Sequence, residues 1–350
     1  MAWVFDRGNR FLREHRDAWD RLNKATVNHI LLDSKFVGPL VEHFSSKKPL
    51  LFAFDDEDPP AMALLQKGRN GFWATFQPSQ APLGLILVPK SSTIDAKMRE
   101  LIRQIPGYAL GLSVLQQDPD YSELARLGES RTIELVQYIR TARLVLTGTF
   151  QEYWQSRPRD LVVNLARHRR RLQKESIRVE MVVDRDTDRM ADCVKEHGIL
   201  ESKGWKGKFG TAVAPDNEQG LFYRKVLENF SREGEAVFYR LKFDGMTVAS
   251  NLCLERSGVM VNLKIAYDED FKRFAPGFLL KEEMLKTLFS EGRIRILESY
   301  GGVRKGWTTK WFTELRTMYH VNFYRYAWVR TCRRLLKAVS SRPKRSSDSG

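Results

Sequence analysis

The N-terminal half of the chain contains short apolar runs that are separated by polar turns. The runs at residues 49–54, 61–65, 71–76 and 82–88 predict four strands. Apolar residues at helical spacing predict helices over 11–22 and 94–105, whereas 109–115 and 143–146 have strand-like patterns. This half therefore mixes strands and helices.

The most regular pattern lies in the C-terminal half, at residues 259–297. An apolar and β-branched run predicts a strand that ends in the polar turn from Tyr267 to Asp270. Beyond a basic bend, Leu280, Met284 and Leu288 recur every four residues and predict a helix, and 293–297 predicts another strand. Strands are also predicted at 177–183, 236–243, 247–255 and 318–328, and helices at 188–200 and 221–230.

The bend before the predicted helix has the features of an anion site. Lys272 and Arg273 precede Pro276-Gly277, at the point where the helix would begin. The positive end of a helix dipole, unpaired backbone N–H groups and two cationic side chains would meet there. A phosphate or diphosphate fits such a bend, although an ordinary strand–helix connection has the same pattern.

Residues 157–174 have the pattern of an amphipathic helix. Leu161, Leu165, His168 and Leu172 lie on one face, and Arg167, Arg170, Arg171 and Lys174 lie on another. The basic face is either a binding surface or a solvated face between two domains. His168 is expected to be a hydrogen-bonded core residue.

Length and charge add to this picture. A chain of 350 residues is more typical of two domains than of one. The net charge is +15, and 157–174 and 329–350 each contain seven basic residues and one acidic residue. Such segments favour tRNA, an anionic membrane surface or a phosphate-rich ligand as partners. The serine-rich end of the chain predicts a disordered tail over 331–350.

Other features exclude several classes of protein. The three cysteines are widely spaced and indicate neither a disulfide framework nor a metal site, so no metal is expected. The first ten residues do not form a signal peptide, and every apolar run is too short to cross a bilayer, which predicts a cytoplasmic protein. Motifs typical of hydrolases, kinases and metalloenzymes are absent from the sequence.

Three ordered blocks carry a family resemblance: the basic run 164–172, residues 200–212, and 264–269 followed by 276–280. They resemble the acetyltransferase-like domain of FemAB-type and cellulose-biosynthesis-type members of the GNAT superfamily. The resemblance implies an α/β fold of two GNAT-like halves, each a mixed, mostly antiparallel sheet flanked by helices. We expect an N-terminal half at 1–150, a basic linking helix at 151–175, a C-terminal acyltransferase domain at 176–330 and the tail beyond it.

The resemblance also implies an activity, the transfer of an acyl group from acyl-CoA to an amine. The acceptor would be a sugar, a sugar nucleotide or an amino acid in exopolysaccharide or cell-envelope synthesis. The strand 261–267 would receive the pantetheine arm, and the expected donor-binding residues are Lys264, Tyr267, Arg273, Pro276, Gly277 and Phe278. Lys264 lies among apolar residues, which favours a facing ligand or carboxylate.

The polar residues at strand ends are the candidate catalytic groups, since reactive groups collect there in α/β sheets. A carboxylate would take the proton of the amine, and a phenol would protonate the thiolate. These residues are Glu298, Tyr300 and Asp268. The expected substrate-binding residues are Glu201, Trp205, Lys206, Lys305 and Trp307.

Two alternatives stay open. The predicted phosphate loop contains only Gly277 instead of several spaced glycines, and the FemAB branch takes its acyl group from aminoacyl-tRNA. The first alternative is therefore an aminoacyl-tRNA-dependent transferase. The second is a GNAT-like module without activity that binds an anionic polymer or membrane surface.

Overall fold

The computed structural model describes residues 3–7, 10, 14–45, 49–89, 94–204, 210 and 212–340, with side chains up to 336. These residues form two compact units. The first unit comprises the described parts of Met1–Asn28, Lys47–Tyr138 and Met318–Gly350, and the second comprises those of His29–Ser46 and Ile139–Thr317. Both units are therefore discontinuous in sequence, whereas the sequence places continuous boundaries at residues 150, 175 and 330.

The first unit is built on a mixed sheet. Its strands are β1 (Val4–Arg7), β2 (Leu50–Asp55), β3 (Ala61–Lys67), β4 (Phe72–Thr75), β5 (Ile86–Leu87), β6 (Gly111–Gln117), the first part of β7 (Ile133–Val145) and most of β13 (Glu314–Tyr324). The order β1-β2-β3-β4-β6-β13 is antiparallel except for the parallel pair β4 and β6. Its helices are α1 (Arg16–Thr26), α3 (Ile94–Gln104) and α10 (Ala327–Ser340).

Helix α3 supplies the main helical face of this unit. Ile94, Met98, Leu101 and Ile102 are buried against the sheet, as the helical spacing predicts. Lys97 is also buried, and its Nζ lies 2.7 Å from Asp55 Oδ2. This pair compensates the cost of burying both charges.

The second unit also contains sheet strands of mixed direction, and it has more helices. Its strands are the remainder of β7, β8 (Val179–Asp184), β9 (Ala236–Phe243), β10 (Met246–Arg256), β11 (Val259–Tyr267) and β12 (Ile296–Ser299), in the order β7-β12-β11-β10-β9-β8. Only β11 and β12 pair in parallel. Its helices are α2 (Ser34–Phe44), α4 (Phe150–Gln155), α5 (Arg159–Lys174), α6 (Met190–Lys203), α7 (Glu218–Ser231), α8 (Pro276–Glu291) and α9 (Thr308–Trp311).

Helices α8 and α5 bury their predicted apolar faces in one core. Leu280, Met284 and Leu288 of α8 are buried with residues of β9 and β10. Leu161, Leu165 and Leu172 of α5 join the same cluster. The basic helix is therefore an integral part of the second unit. His168 is only partly buried, because it lies at the edge of the apolar face.

The mixed α/β class predicted from the sequence is confirmed, with sheet strands and helices in each unit. In both units, antiparallel strands lead through a helix to a strand that pairs in parallel. The sequence pattern does not predict α2 or most of β7. Strand β7 has an irregular burial pattern, without the alternation typical of a strand. The aromatic strand predicted at 318–328 ends at Tyr324, and α10 continues to Ser340, beyond the expected start of disorder at 331.

Candidate functional site

The parallel strands β11 and β12 separate part of the way along their length. Val259, Met260 and Val261 pair with Ile296, Leu297 and Glu298, after which β12 ends at Ser299. Strand β11 continues to Tyr267, and its register with β10 shifts beside Cys253. Residues 262–267 therefore have no partner in β12. Where a strand is bulged and its neighbour ends early, backbone N–H and C=O groups are left exposed, and a ligand can bind them.

Helix α8 begins beside the far end of β11. Ala275 caps it with a left-handed backbone (φ 52°), and Pro276 occupies the first turn, where its missing N–H costs nothing. A Cβ on Gly277 would lie 3.6 Å from the Tyr267 ring, so the glycine allows strand and helix to approach closely. The positive end of the helix dipole thus lies at the open end of the strand pair.

Cationic side chains surround the bend before α8. Arg273 is exposed, and its guanidinium lies 2.8 Å from a Glu175 carboxylate oxygen. Arg171 of α5 donates to the Arg273 carbonyl oxygen at 3.3 Å, and Lys272 is exposed. Burial and Arg167 lower the pKa of His168, which also hydrogen-bonds the Arg273 backbone. Since exposed ion pairs are weak, an anionic ligand can displace Glu175 from Arg273.

Lys264 lies on the other face of β11 and meets a carboxylate, one of the two expected environments. Its Nζ is 3.8 Å from Glu201 Oε1 and 5.6 Å from the centre of the Tyr223 ring. The other Glu201 oxygen accepts a hydrogen bond of 2.7 Å from the Val213 N–H. Burial raises the pKa of the Tyr223 phenol, and the negative charge of Glu201 raises it further. This group of a buried acid, a buried phenol and a partly buried amine can orient a polar substrate.

Asp268 is engaged in holding the turn that follows β11. It is buried, and one of its oxygens lies 2.8 Å from Lys203 Nζ. The other accepts from the Asp270 N–H at 3.1 Å and caps a 3-10 helix over Glu269–Phe274. These contacts give Asp268 a role in positioning the bend.

Glu298 and Tyr300 lie at the end of β12, as predicted, but in different environments. Glu298 is fully buried, hydrogen-bonds Arg316 and lies 4.0 Å from Arg143. Glu298 is thus an ion-paired carboxylate at the end of β12.

Tyr300 hydrogen-bonds His29, and the bond has a defined direction. His29 Nδ1 accepts from the Leu31 N–H at 3.2 Å, so the ring proton resides on Nε2. Nε2 lies 2.9 Å from the Tyr300 hydroxyl and donates to it. Burial lowers the pKa of His29 to about 3, with Arg316 and Arg256 adding to the effect. A neutral His29 therefore orients the phenol as a proton donor.

The remaining predicted residues lie around the start of α8 or outside the described residues. Phe278 packs edge-on against Trp307, with ring centres 4.6 Å apart. Lys305 is exposed on the same loop. Trp205 and Lys206 lie outside the described residues. The structure thus places Tyr267, Pro276, Gly277, Phe278 and Trp307 around one helix end.

The sequence does not single out Lys281, a residue of α8 that the structure buries. Its side chain is 3% exposed, and its Nζ lies 5.1 Å from the centre of the Phe312 ring. It makes no hydrogen bond or ion pair with any described residue. Burial lowers its pKa to about 8. A lysine on the apolar face of the predicted helix was the available signal.

Lys281 lies beside a buried polar cluster at the level where β11 and β12 separate. The neutral thiol of Cys253 is its electrostatic neighbour, and this thiol lies 3.4 Å from Asn262 Oδ1. Asn262 also accepts from Asn251 Nδ2 at 2.9 Å. Asn251 Oδ1 is buried without a hydrogen-bond partner among the described residues. Buried polar groups of this kind mark a place for a polar ligand.

Among the described residues, one group has ligand atoms close enough to hold a metal ion, Asp6, Glu14 and His15 in the first unit. Asp6 already lies 3.7 Å from both Arg10 and His15. This partly exposed group needs no ion to explain it. None of the helices in the described part of the chain has the length and apolar character that a membrane span requires.

The separating parallel strands and the helix at their open end define a GNAT/FemAB-like acyltransferase fold. Comparison with protein families agrees with this geometry. Residues 159–307 match the family described as acetyltransferase (GNAT) domain, and the match covers α5, β8 to β12 and α8. This part of the second unit is therefore similar to a GNAT acetyltransferase domain.

Solved structures share the fold at low sequence identity. FemX has a TM-score of 0.57 at 11% identity, over 96% of this chain and 100% of its own. The C-terminal domain of a putative lysylphosphatidylglycerol synthetase from Agrobacterium fabrum has a TM-score of 0.55 at 14% identity, over 93% and 96%. No curated protein matches the chain. These likenesses support the fold.

Proposed function

We propose that the protein is a cytoplasmic N-acyltransferase that transfers an acyl group from acyl-CoA to an amine. The acceptor would be a sugar, a sugar nucleotide or an amino acid in exopolysaccharide or cell-envelope synthesis. The observation that carries the proposal is the opening between β11 and β12, with the start of α8 at its end. Backbone groups of residues 262–267 would bind the pantetheine arm, and the bend would bind the diphosphate.

The proposed reaction forms an amide bond and breaks the thioester C–S bond. Glu201 or Glu298 would take the proton of the attacking amine, and Tyr300 would protonate the departing thiolate. Lys281, whose neighbour Cys253 hydrogen-bonds Asn262, would donate to the thioester carbonyl as negative charge develops on its oxygen. Lys264 and Tyr223 would position the acceptor next to Glu201.

Replacing Arg273 with alanine is expected to weaken acyl-CoA binding about fivefold to tenfold, because one charge–diphosphate interaction is lost. Fluorescence or calorimetric titration with acetyl-CoA and with longer acyl-CoAs at physiological salt would measure the effect. Arg171→Ala should act in the same direction, since Arg171 contacts the same bend.

Arg178→Ala is the matched control for this titration, because Arg178 is an exposed arginine immediately before β8 of the same unit. Its substitution should leave acyl-CoA affinity unchanged. Equal loss in all three variants would indicate general electrostatic attraction and would count against a diphosphate site at the bend.

Replacing Tyr300 with phenylalanine is expected to lower kcat about 100-fold with little change in KM, because only the proton to the thiolate is lost. Loss of the hydrogen bond between the phenol and His29 should lower the free energy of unfolding by about 1 kcal/mol. Steady-state kinetics and urea unfolding would separate the two effects. Unchanged turnover would remove Tyr300 from the reaction.

An aminoacyl-tRNA donor is the second candidate. The observation that favours it is the row of exposed cations on α5, Arg167, Arg170 and Lys174, which continues from the bend. If tRNA is the donor, its affinity should fall steeply with salt, and free acyl-CoA should not bind saturably. If neither donor binds, the GNAT fold here serves as a binding module.

A further inference from the structure

The first unit carries an exposed face of aromatic and aliphatic side chains around helix α10. We propose that this face, called here the α10 face, binds an anionic lipid bilayer. It comprises Tyr108, Tyr326, Trp328, Cys332, Leu335 and Leu336. The inference does not rest on the acyltransferase proposal, because the face and the residues of that site belong to different units.

Helix α10 has an unusual orientation. Trp328, Thr331, Cys332 and Leu335 recur at i, i+3, i+4 and i+7, so they share one face, and all four are exposed. Trp328 is 58% exposed, Leu335 62% and Leu336, on the flank of this face, 71%. An amphipathic helix normally buries this side against its own protein. Here the uncharged face is directed outward.

The opposite side of α10 packs against the unit through its arginines. Arg330 donates to the Ser130 carbonyl oxygen and lies 3.2 Å from Glu129. The Arg333 guanidinium lies 4.7 Å from the centre of the Phe72 ring, and Val329 is buried. These contacts fix the helix in an orientation that presents the apolar side chains to the outside.

Exposed tyrosines extend the face beyond the helix. Tyr326 stacks on Trp328 with ring centres 6.0 Å apart, and its hydroxyl lies 3.0 Å from that of Tyr108. Arg325 lies 4.3 Å above the centre of the Tyr108 ring. Tyrosine and tryptophan beside arginine are the side chains enriched at the membrane–water interface.

The positive charge around the α10 face determines which binding partner fits it. Residues 325–347 contain eight basic residues and no acidic residue, and Arg334 is exposed at the edge of the face. A second copy would bring two such segments together and would be repelled. An anionic lipid surface attracts the arginines and also accepts the apolar side chains, as for amphipathic helices that lie in the interface.

The natural Cys332 permits a direct test. Cys332 is exposed, whereas Cys193 and Cys253 are buried and burial raises the pKa of each thiol to about 12. An environment-sensitive fluorophore would therefore label Cys332 selectively in the folded protein. The probe would report a change from water to lipid at the centre of the α10 face.

The labelled protein would be mixed with phosphatidylcholine vesicles, with and without phosphatidylglycerol as the anionic lipid, and co-sedimented. We expect a blue shift and binding only with the anionic vesicles. Trp328→Ser with Leu335→Ser should weaken binding at least about tenfold, and Arg334→Gln about fivefold. Val4→Ser with Met246→Ser, two half-exposed apolar residues elsewhere, should leave binding unchanged.

Several results would overturn the proposal. Equal binding by the Trp328/Leu335 variant and the wild type would remove the α10 face from the interaction. A concentration-dependent dimer that the same variant loses, without vesicle binding, would assign the face to a second copy. A blue shift with tRNA and none with vesicles would assign it to nucleic acid. Acyl-CoA titration of the same samples would show separately whether the donor site is intact.

Discussion

Replacing Lys281 with methionine is expected to make the protein more stable and less active. The pKa of Lys281 falls from 10.5 to about 8 on folding, because the amine is buried without a polar partner among the described residues. At pH 7 the native state must hold a charge that the interior disfavours, which costs about 3 kcal/mol. Methionine fills a similar volume without this cost. Urea unfolding at pH 7 would measure the gain.

The pH dependence of stability provides a second readout. Between pH 10.5 and pH 8, the unfolded chain binds a proton at this lysine that the native chain does not. The contribution of Lys281 to stability therefore decreases as the pH falls through this window and is constant below it. The wild type should lose stability from pH 10 to pH 8 relative to Lys281→Met.

The loss of activity follows from the proposed role of Lys281. A donor directed at the developing oxyanion typically contributes a factor of about 100 to 1,000 in kcat. We therefore expect kcat to fall by about this factor in the methionine variant, even though the fold is strengthened. Natural proteins tolerate an unfavourable buried group when the site requires it.

Lys286→Met is the matched control, because Lys286 lies on the same helix, is partly exposed and pairs with Glu282 and Glu283. Loss of these pairs should cost at most about 1 kcal/mol and leave turnover unchanged. If Lys281→Met lowers stability and leaves activity intact, Lys281 is a structural residue.

Acidification is expected to destabilise the protein through His29. The pKa of His29 falls from 6.5 to about 3 on folding, first by burial and then by the charges of Arg316 and Arg256. Below pH 6.5 the unfolded chain binds a proton that the native chain excludes, so stability decreases as the pH falls. The loss should reach about 2 kcal/mol at pH 5 and about 4 kcal/mol near pH 3.

His29→Gln isolates this effect, because glutamine can still donate to Tyr300 and cannot take up a proton. Urea unfolding from pH 7 to pH 4.5 should show a shallower decline for this variant than for the wild type. His43→Gln is the control, since His43 Nδ1 lies 2.8 Å from the exposed Glu218 carboxylate. Parallel curves for the wild type and His29→Gln would contradict the assignment.

The local pattern of apolar and polar residues was sufficient to predict the strand and the helix beside the opening between β11 and β12. The apolar run at Val259–Tyr267 and the four-residue spacing of Leu280, Met284 and Leu288 correctly predict β11 and α8. The proline and glycine at the start of α8 also lie where the sequence places them. Periodicity encodes these features because it determines which face of an element can be buried.

Long-range partners could not be inferred in this way. The sequence assigns Glu298 as a strand-end carboxylate, but it does not reveal that Arg316 and Arg143 face it. It also does not bring His29 to Tyr300, since 271 positions separate them along the chain. The segment His29–Ser46 joins the second unit only through tertiary packing.

The sequence by itself thus determined most of the strands and helices, the basic bend and, through its resemblance to a known family, the GNAT-like class of fold. Tertiary structure decided which carboxylates are paired with arginines, that Lys281 is buried near Cys253, and that α10 directs its apolar face outward. The physical reason is that periodicity is a local property of the chain. Burial, pKa and surface chemistry depend on segments that only folding brings together.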